Sequence, residues 1–151
     1  MPYLSIARDD FESGLRSGGT GWLDAWRPST VFIMGAPSHS GSAALNLSYA
    51  NSVERTADVS GYSRVRLRFW SRLAGLQAEG QALLAVRPNG GAWQVVKQFS
   101  LAESDQTYHA YDIDLSGIAT AGGLAVAFHS SLSPTVSQWH VDDVELVGVS
   151  Q

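Results

Sequence analysis

Arg64-Val65-Arg66-Leu67-Arg68-Phe69-Trp70-Ser71-Arg72 alternates with strict period two. Side chains of a strand leave opposite faces in turn, so this pattern reads as a half-buried β-strand. Val65, Leu67 and Phe69 are assigned to the core; Arg64, Arg66, Arg68, Trp70 and Arg72 share the other face. Outward from this stretch, Ala82 to Arg87 and Trp93 to Phe99 flank Pro88-Asn89-Gly90-Gly91. An Asn-Gly pair between two apolar runs is a strong hairpin signal. Tyr108 to Leu115 alternates again, with Tyr111, Ile113 and Leu115 facing the core, and Leu124 to Phe128 and Trp139 to Val147 supply further strands. Val31 to Met34 and Ala43 to Tyr49 are the earlier ones. No stretch reads as a helix of ten or more residues, Leu76 to Leu84 coming nearest. About eight short strands or a few more, punctuated by Gly and Pro, predict an all-β, single-domain, two-sheet antiparallel jelly-roll β-sandwich.

Composition narrows the function. The chain has 151 residues, 44% of them hydrophobic and 16% charged, which suits one folded domain. No apolar run approaches the roughly 20 residues of a membrane-spanning helix, so membrane insertion is not expected. With no cysteine, disulfides and thiolate chemistry are excluded. A net charge of −4 argues against nucleic acid as a partner, since that binding runs on phosphate neutralisation. The basic residues are lopsided: nine arginines against the single Lys97.

Catalytic signatures are missing. His39, His109, His129 and His140 form no His-x-x-x-His spacing, and no Gly-x-Ser-x-Gly elbow accompanies Ser38-His39-Ser40. Ser17-Gly18-Gly19-Thr20-Gly21 lacks the Lys-Ser/Thr of a phosphate loop and reads as a loop presenting Trp22.

Two motifs near the ends carry a family resemblance. Asp9-Asp10-Phe11-Glu12-Ser13-Gly14-Leu15, with Gly21-Trp22 and Trp26, opens the chain, and Trp139-His140-Val141-Asp142-Asp143-Val144-Glu145-Leu146 closes it. Between them lie Ser40-Gly41-Ser42-Ala43-Ala44-Leu45 and the Leu67-Arg68-Phe69-Trp70 strand. This layout resembles bacterial jelly-roll modules, galactose-binding-like, attached to secreted polysaccharide- and protein-degrading enzymes. It is also similar to MAM adhesion domains, without their cysteine framework. The resemblance implies a non-catalytic carbohydrate-binding or adhesion role, with a structural calcium. It spans residues 9–148, leaving 1–8 as a lead segment and 149–151 as a tail.

In modules of that kind the first and last strands lie side by side, which would bring Asp10, Glu12, Asp142 and Asp143 together as calcium ligands. Calcium takes about six to eight oxygen ligands, and carbonyls of the Ser40-Gly41-Ser42 turn would complete the shell. The alternative is a solvated acidic edge. Adjacent acids at a strand edge do not suggest the cleft that glycoside hydrolysis requires.

The arginine stripe has three readings. Cross-strand carboxylates such as Asp112 and Asp114 pair with it; or it binds a polysaccharide beside Trp70; or it docks on another subunit. The ligand-contact candidates are Trp70, Arg66, Arg68 and the loop residues Trp22, Trp26 and Trp93, whereas Trp139 belongs to the core. The expectation is a non-enzymatic, polysaccharide- or cell-surface-glycan-binding module, extracellular as part of a secreted protein. The alternative is a virion component, in a phage tail or capsid surface, in contact with other subunits. Met1 to Ile6 lacks the basic and apolar segments of a signal peptide, which is compatible with either.

Overall fold

The computed structural model describes residues 2–35, 37–48, 51–118, 122–131 and 137–151. Among these residues ten strands follow one another: β1 (Leu4–Asp9), β2 (Phe32–Met34), β3 (Ala44–Asn46), β4 (Asn51–Asp58), β5 (Tyr62–Ala74), β6 (Ala82–Pro88), β7 (Gln94–Gln98), β8 (Tyr108–Asp114), β9 (Gly123–Ser130) and β10 (Gln138–Ser150). The one helical turn among them is the 3-10 segment Leu101–Glu103. Leu76 to Leu84 is not helical: a Gln77–Gly80 turn leads into β6. Tyr49, the end of the expected Ala43–Tyr49 strand, lies outside the described residues.

Every strand pairing is antiparallel. The first sheet runs β2-β3-β10-β5-β8, with β1 also on β10, and the second runs β4-β9-β6-β7. This is the two-sheet jelly-roll sandwich expected from the strand pattern. Val65, Leu67 and Phe69 of β5 are buried as their parity requires. Phe69 meets Phe128 of the second sheet edge-on at 5.4 Å, and Trp139 meets Phe128 at 5.9 Å. Such tilted pairs add to area burial because positive ring edges face negative ring faces. At the hairpin, Asn89 (φ 51°) and Gly90 (φ 70°) both adopt the left-handed conformation that a tight two-residue turn demands.

Strand β4 escaped the sequence reading because Arg55 interrupts its apolar face. In the structure Arg55 alternates with the buried Val53 and Ala57 and is itself 2% exposed. Its guanidinium meets the equally buried Asp9 at 2.8 Å, and Asp9 also accepts the Trp26 indole N–H at 3.0 Å. A charge leaves water only with such a partner.

The feature that shapes the molecule's surface is a bulge in β10. Along one edge β10 pairs β3 through His140 and Val141, then β1 from Val144 to Gly148. Its register against β5 slips between Asp142 and Glu145, with Asp143 at φ 51°. A bulge inserts a residue and re-aims side chains. Here it lets two successive carboxylates, Asp142 and Asp143, both meet the same loop, where strict alternation would separate them.

Candidate functional site

The outer face of the first sheet is built in rows across β8, β5 and β10. One row is Tyr108, Arg72 and His140; the next is Ala110, Trp70 and Asp142; then come Asp112, Arg68 and Glu145. In the arginine stripe, Arg66 and Arg68 are neutralised by β8. Arg66 Nε donates to Asp112 Oδ1 at 2.7 Å and Arg68 Nε to Asp112 Oδ2 at 3.3 Å, with Asp114 3.8 Å from Arg66. Arg72 donates instead to the Gln106 carbonyl at 3.1 Å. The cross-strand pairing anticipated from parity is therefore present.

A loop of residues 37–43 straps this face. Tyr108 Oη donates to the Pro37 carbonyl at 2.9 Å, and the His39 ring stacks on Trp70 with centroids 3.7 Å apart at 13°. The N–H groups of His39 and Ser40 donate to Asp142 Oδ2 at 2.9 and 3.1 Å. Ser40 Oγ donates to Asp143 Oδ2 at 2.7 Å, and His39 Nδ1 lies 2.8 Å from the same oxygen. At the strap's far end, the N–H groups of Ser42 and Ala43 donate to the two oxygens of Glu12 at 2.7 and 2.9 Å. Gly41 sits among these bonds at φ 60°, and a Cβ there would stand 2.4 Å from the Glu12 carboxylate. Only glycine fits on both counts.

The strap explains the electrostatics. Asp142 is fully buried and has no ion-pair partner among the described residues. Burial pushes its carboxyl up to about 6, against the lowering effect of the strap's N–H donors. His140 next to it is driven down to about 4 by burial and by the Arg72 charge. Glu12 is held below the usual carboxylate range by the two backbone donors.

Of the four acidic residues expected to converge, Glu12, Asp142 and Asp143 all attach to the strap, at different points along it. Asp10 stays on its own turn and accepts the Glu12 N–H at 3.1 Å. The strand β1 ends at Asp9, so Asp10 and Glu12 do not share a strand face; Phe11 turns into the core at φ 62°. Among the described residues no three acidic or histidine side chains gather closely enough to form a metal cage.

Beside the strap the face opens into a cleft of about 400 Å³ lined by Arg68, Trp70, Ala110, Asp112, Asp143 and Glu145. Three hydrogen-bonded strands carry these side chains. The loop tryptophans go elsewhere. Trp26 is a correction to the sequence reading: it is 0% exposed, packed against Phe11 and Phe128, and offers no face to a ligand. Trp22 is half-buried, donates to the Arg8 carbonyl and lies under Arg55. Trp93 is 40% exposed on the second sheet's side, with the Arg87 guanidinium 4.6 Å from its ring centroid. Reading the sequence alone missed His39 as Trp70's partner, since 31 residues of sequence separate the two rings and no local pattern joins them.

No protein-family model and no curated protein matches the sequence. Solved structures do match the fold. The chain is similar to a CBM61 module in complex with β-1,4-galactotriose, at 19% identity and TM-score 0.59, over 91% of this chain and 92% of that one. It is similar to the CBM22-1 xylan-binding domain of Paenibacillus barcinonensis Xyn10C, at 16% identity and TM-score 0.58, over 97% and 96%. A CBM29-2 carbohydrate-binding module aligns at 15% identity and TM-score 0.57, over 99% and 87%. The jelly-roll sandwich of carbohydrate-binding modules is thus the fold of this chain.

Proposed function

We propose that the chain is a non-catalytic glycan-binding module whose ligand lies in the cleft beside the strap. One observation carries this reading: an indole, a guanidinium and three carboxylates converge from β8, β5 and β10 on one cavity. The exposed part of Trp70 offers a surface to the apolar C–H face of a sugar ring. Asp112, Asp143 and Glu145 accept hydroxyl hydrogen bonds, and Arg68 donates. Ion pairing with Arg66 and Arg68 holds Asp112 in place without a ligand, so little side-chain entropy remains to be lost on binding. The neighbours in fold are described as binding galactotriose and xylan, which supports a polysaccharide as the ligand class. A polysaccharide ligand fits work outside the cell.

Binding without cleavage fits the carboxylates. A glycosidase needs an acid whose pKa is raised and which reaches the glycosidic oxygen. The two raised carboxyls are both buried, Asp9 against Arg55 and the Trp26 indole and Asp142 with its oxygens on backbone N–H groups. A structural calcium belongs to the same proposal. Glu12 and Asp142, with strap carbonyls, are the hard oxygen donors that would hold it, and the ion would supply the positive charge that buried Asp142 lacks.

Retention of the protein by polysaccharides on a glycan array tests the reading. Trp70→Ala should abolish retention and Trp93→Ala should leave it intact. No retention of the unaltered protein by neutral or acidic glycans at millimolar ligand would sink it. For the calcium, adding a chelator should lower the melting temperature, and an unchanged value counts against the ion.

A further inference from the structure

The cleft does not end at β10. A second cavity of about 160 Å³ lies between the end of β1 and the bulge, lined by Arg8, Asp9, Asp10, Asp143, Val144 and Glu145. Asp143 and Glu145 therefore wall both cavities. Arg8 of β1 stands directly opposite Glu145 in the β1–β10 register. An arginine and a glutamate so placed commonly join, yet neither side chain pairs with the other or with any described residue. Of the other arginines on this face, Arg66 and Arg68 are engaged by Asp112 and Arg72 by Gln106 and Gln138, while Arg64 near the start of β5 is exposed. An unengaged donor and an unengaged acceptor flank the small cavity.

We infer that the small cavity is a second sugar subsite, in which Arg8 donates to and Glu145 accepts from the hydroxyls of the next unit along the chain. This rests on the glycan reading of the larger cleft. The two subsites lie side by side across the strands β5, β10 and β1, so the ligand runs across the sheet with the strap alongside it. The small cavity has no aromatic lining residue, so its grip is through charge-assisted hydrogen bonds alone. The module then selects chains over single sugars, because each added unit that reaches Arg8 brings new contacts.

The test is a titration with oligomers of increasing length cut from the polysaccharide that the glycan array retains, read by calorimetry. Affinity should climb by about tenfold when the oligomer becomes long enough to reach from Trp70 to Arg8, the value of one hydrogen bond to a charged group. Arg8→Ala should remove that step while the shortest binding oligomer keeps its affinity, and Arg8→Lys should restore part of it. A flat affinity from the shortest binding oligomer onward, or an Arg8→Ala loss equal at every length, overturns the second subsite and leaves the glycan reading standing. Failure of every polysaccharide to bind overturns both.

Discussion

The two outer faces of the sandwich carry the same residue types and put them to different ends. On the second sheet, Glu54 of β4 meets Arg27 at 3.2 Å and Arg87 of β6 at 3.7 Å, the latter reaching over β9. The pair lies across Ala125 and Ala127, which point outward by parity yet are only 4% and 7% exposed. Charged side chains bridging two strands over alanines fill the surface. On the first sheet, Arg66 and Arg68 pair with Asp112 on the adjacent strand, and the large Trp70 ring stands next to them, capped by His39. The bulge adds Asp143 and Glu145 across from these, and a cleft remains between. An aromatic and an arginine on a sheet face therefore do not by themselves make a cleft; on the first sheet the span of the ion pairs and the backbone irregularity beside them open one.

The contrast extends to the ion pairs themselves, and substitutions at them break it most strongly. Removing Arg55 leaves Asp9 buried without a counter-charge, although burial already holds that carboxyl above its usual range. Arg55→Leu should therefore cost about 3–5 kcal/mol of stability, read by chemical denaturation. A loss below about 1 kcal/mol would mean that Asp9 takes up a proton at little cost and that the pair is dispensable.

Next in size is the difference between the two tryptophans. Trp70→Ala should weaken glycan affinity by about tenfold or more, as loss of a central aromatic contact does, whereas Trp93→Ala should change it by less than about twofold. The reverse order would move the binding face to the second sheet.

The strap supplies a pH-dependent contrast. His140 has a folded-state value of about 4 against an ordinary 6.5, so its contribution is full above about pH 6.5 and is lost as pH falls towards 4. Asp142, at about 6 against 3.8, works the other way: its contribution is full below about 3.8 and is lost as pH rises through 6. Between pH 4 and 6 the neighbours oppose each other. His140→Gln should leave Asp142 unopposed, so with chelator present the variant should lose less stability on acidification than the unaltered protein. Equal slopes in melting temperature against pH would show that His140 is not held neutral. Smallest of all, Arg66→Ala should hardly move the melting temperature, since its pairs with Asp112 and Asp114 are solvent-exposed.

Much of the fold was legible because alternation is a local property. The β5 stripe, the Asn89-Gly90 hairpin and the core placing of Trp139 follow from spacing within a few residues. So did the Arg66–Asp112 pairing, once β8 was given its parity. Strand β4 was hidden because Arg55 occupies a core position that Asp9 and the Asp24 carbonyl, both far away in sequence, make tolerable. Trp26 read as a loop platform for the same reason: its burial depends on Phe11 and Phe128 closing around it. On the outer face of the first sheet, Trp70 and Arg68 were placed together from parity, but the His39 cap, the bulge at Asp143 and the Arg8–Glu145 opposition were not legible.

The amino-acid sequence by itself determined the class of architecture, the inward and outward sets of the long strands, and the absence of recognisable catalytic and thiol chemistry. Those follow from side-chain periodicity and composition, which need no partner to be read. Tertiary structure decided which tryptophan is buried, which arginines are paired, and where a cavity opens. Each of these depends on segments far apart in sequence meeting at a bulge, where the backbone departs from the period that made the strands readable.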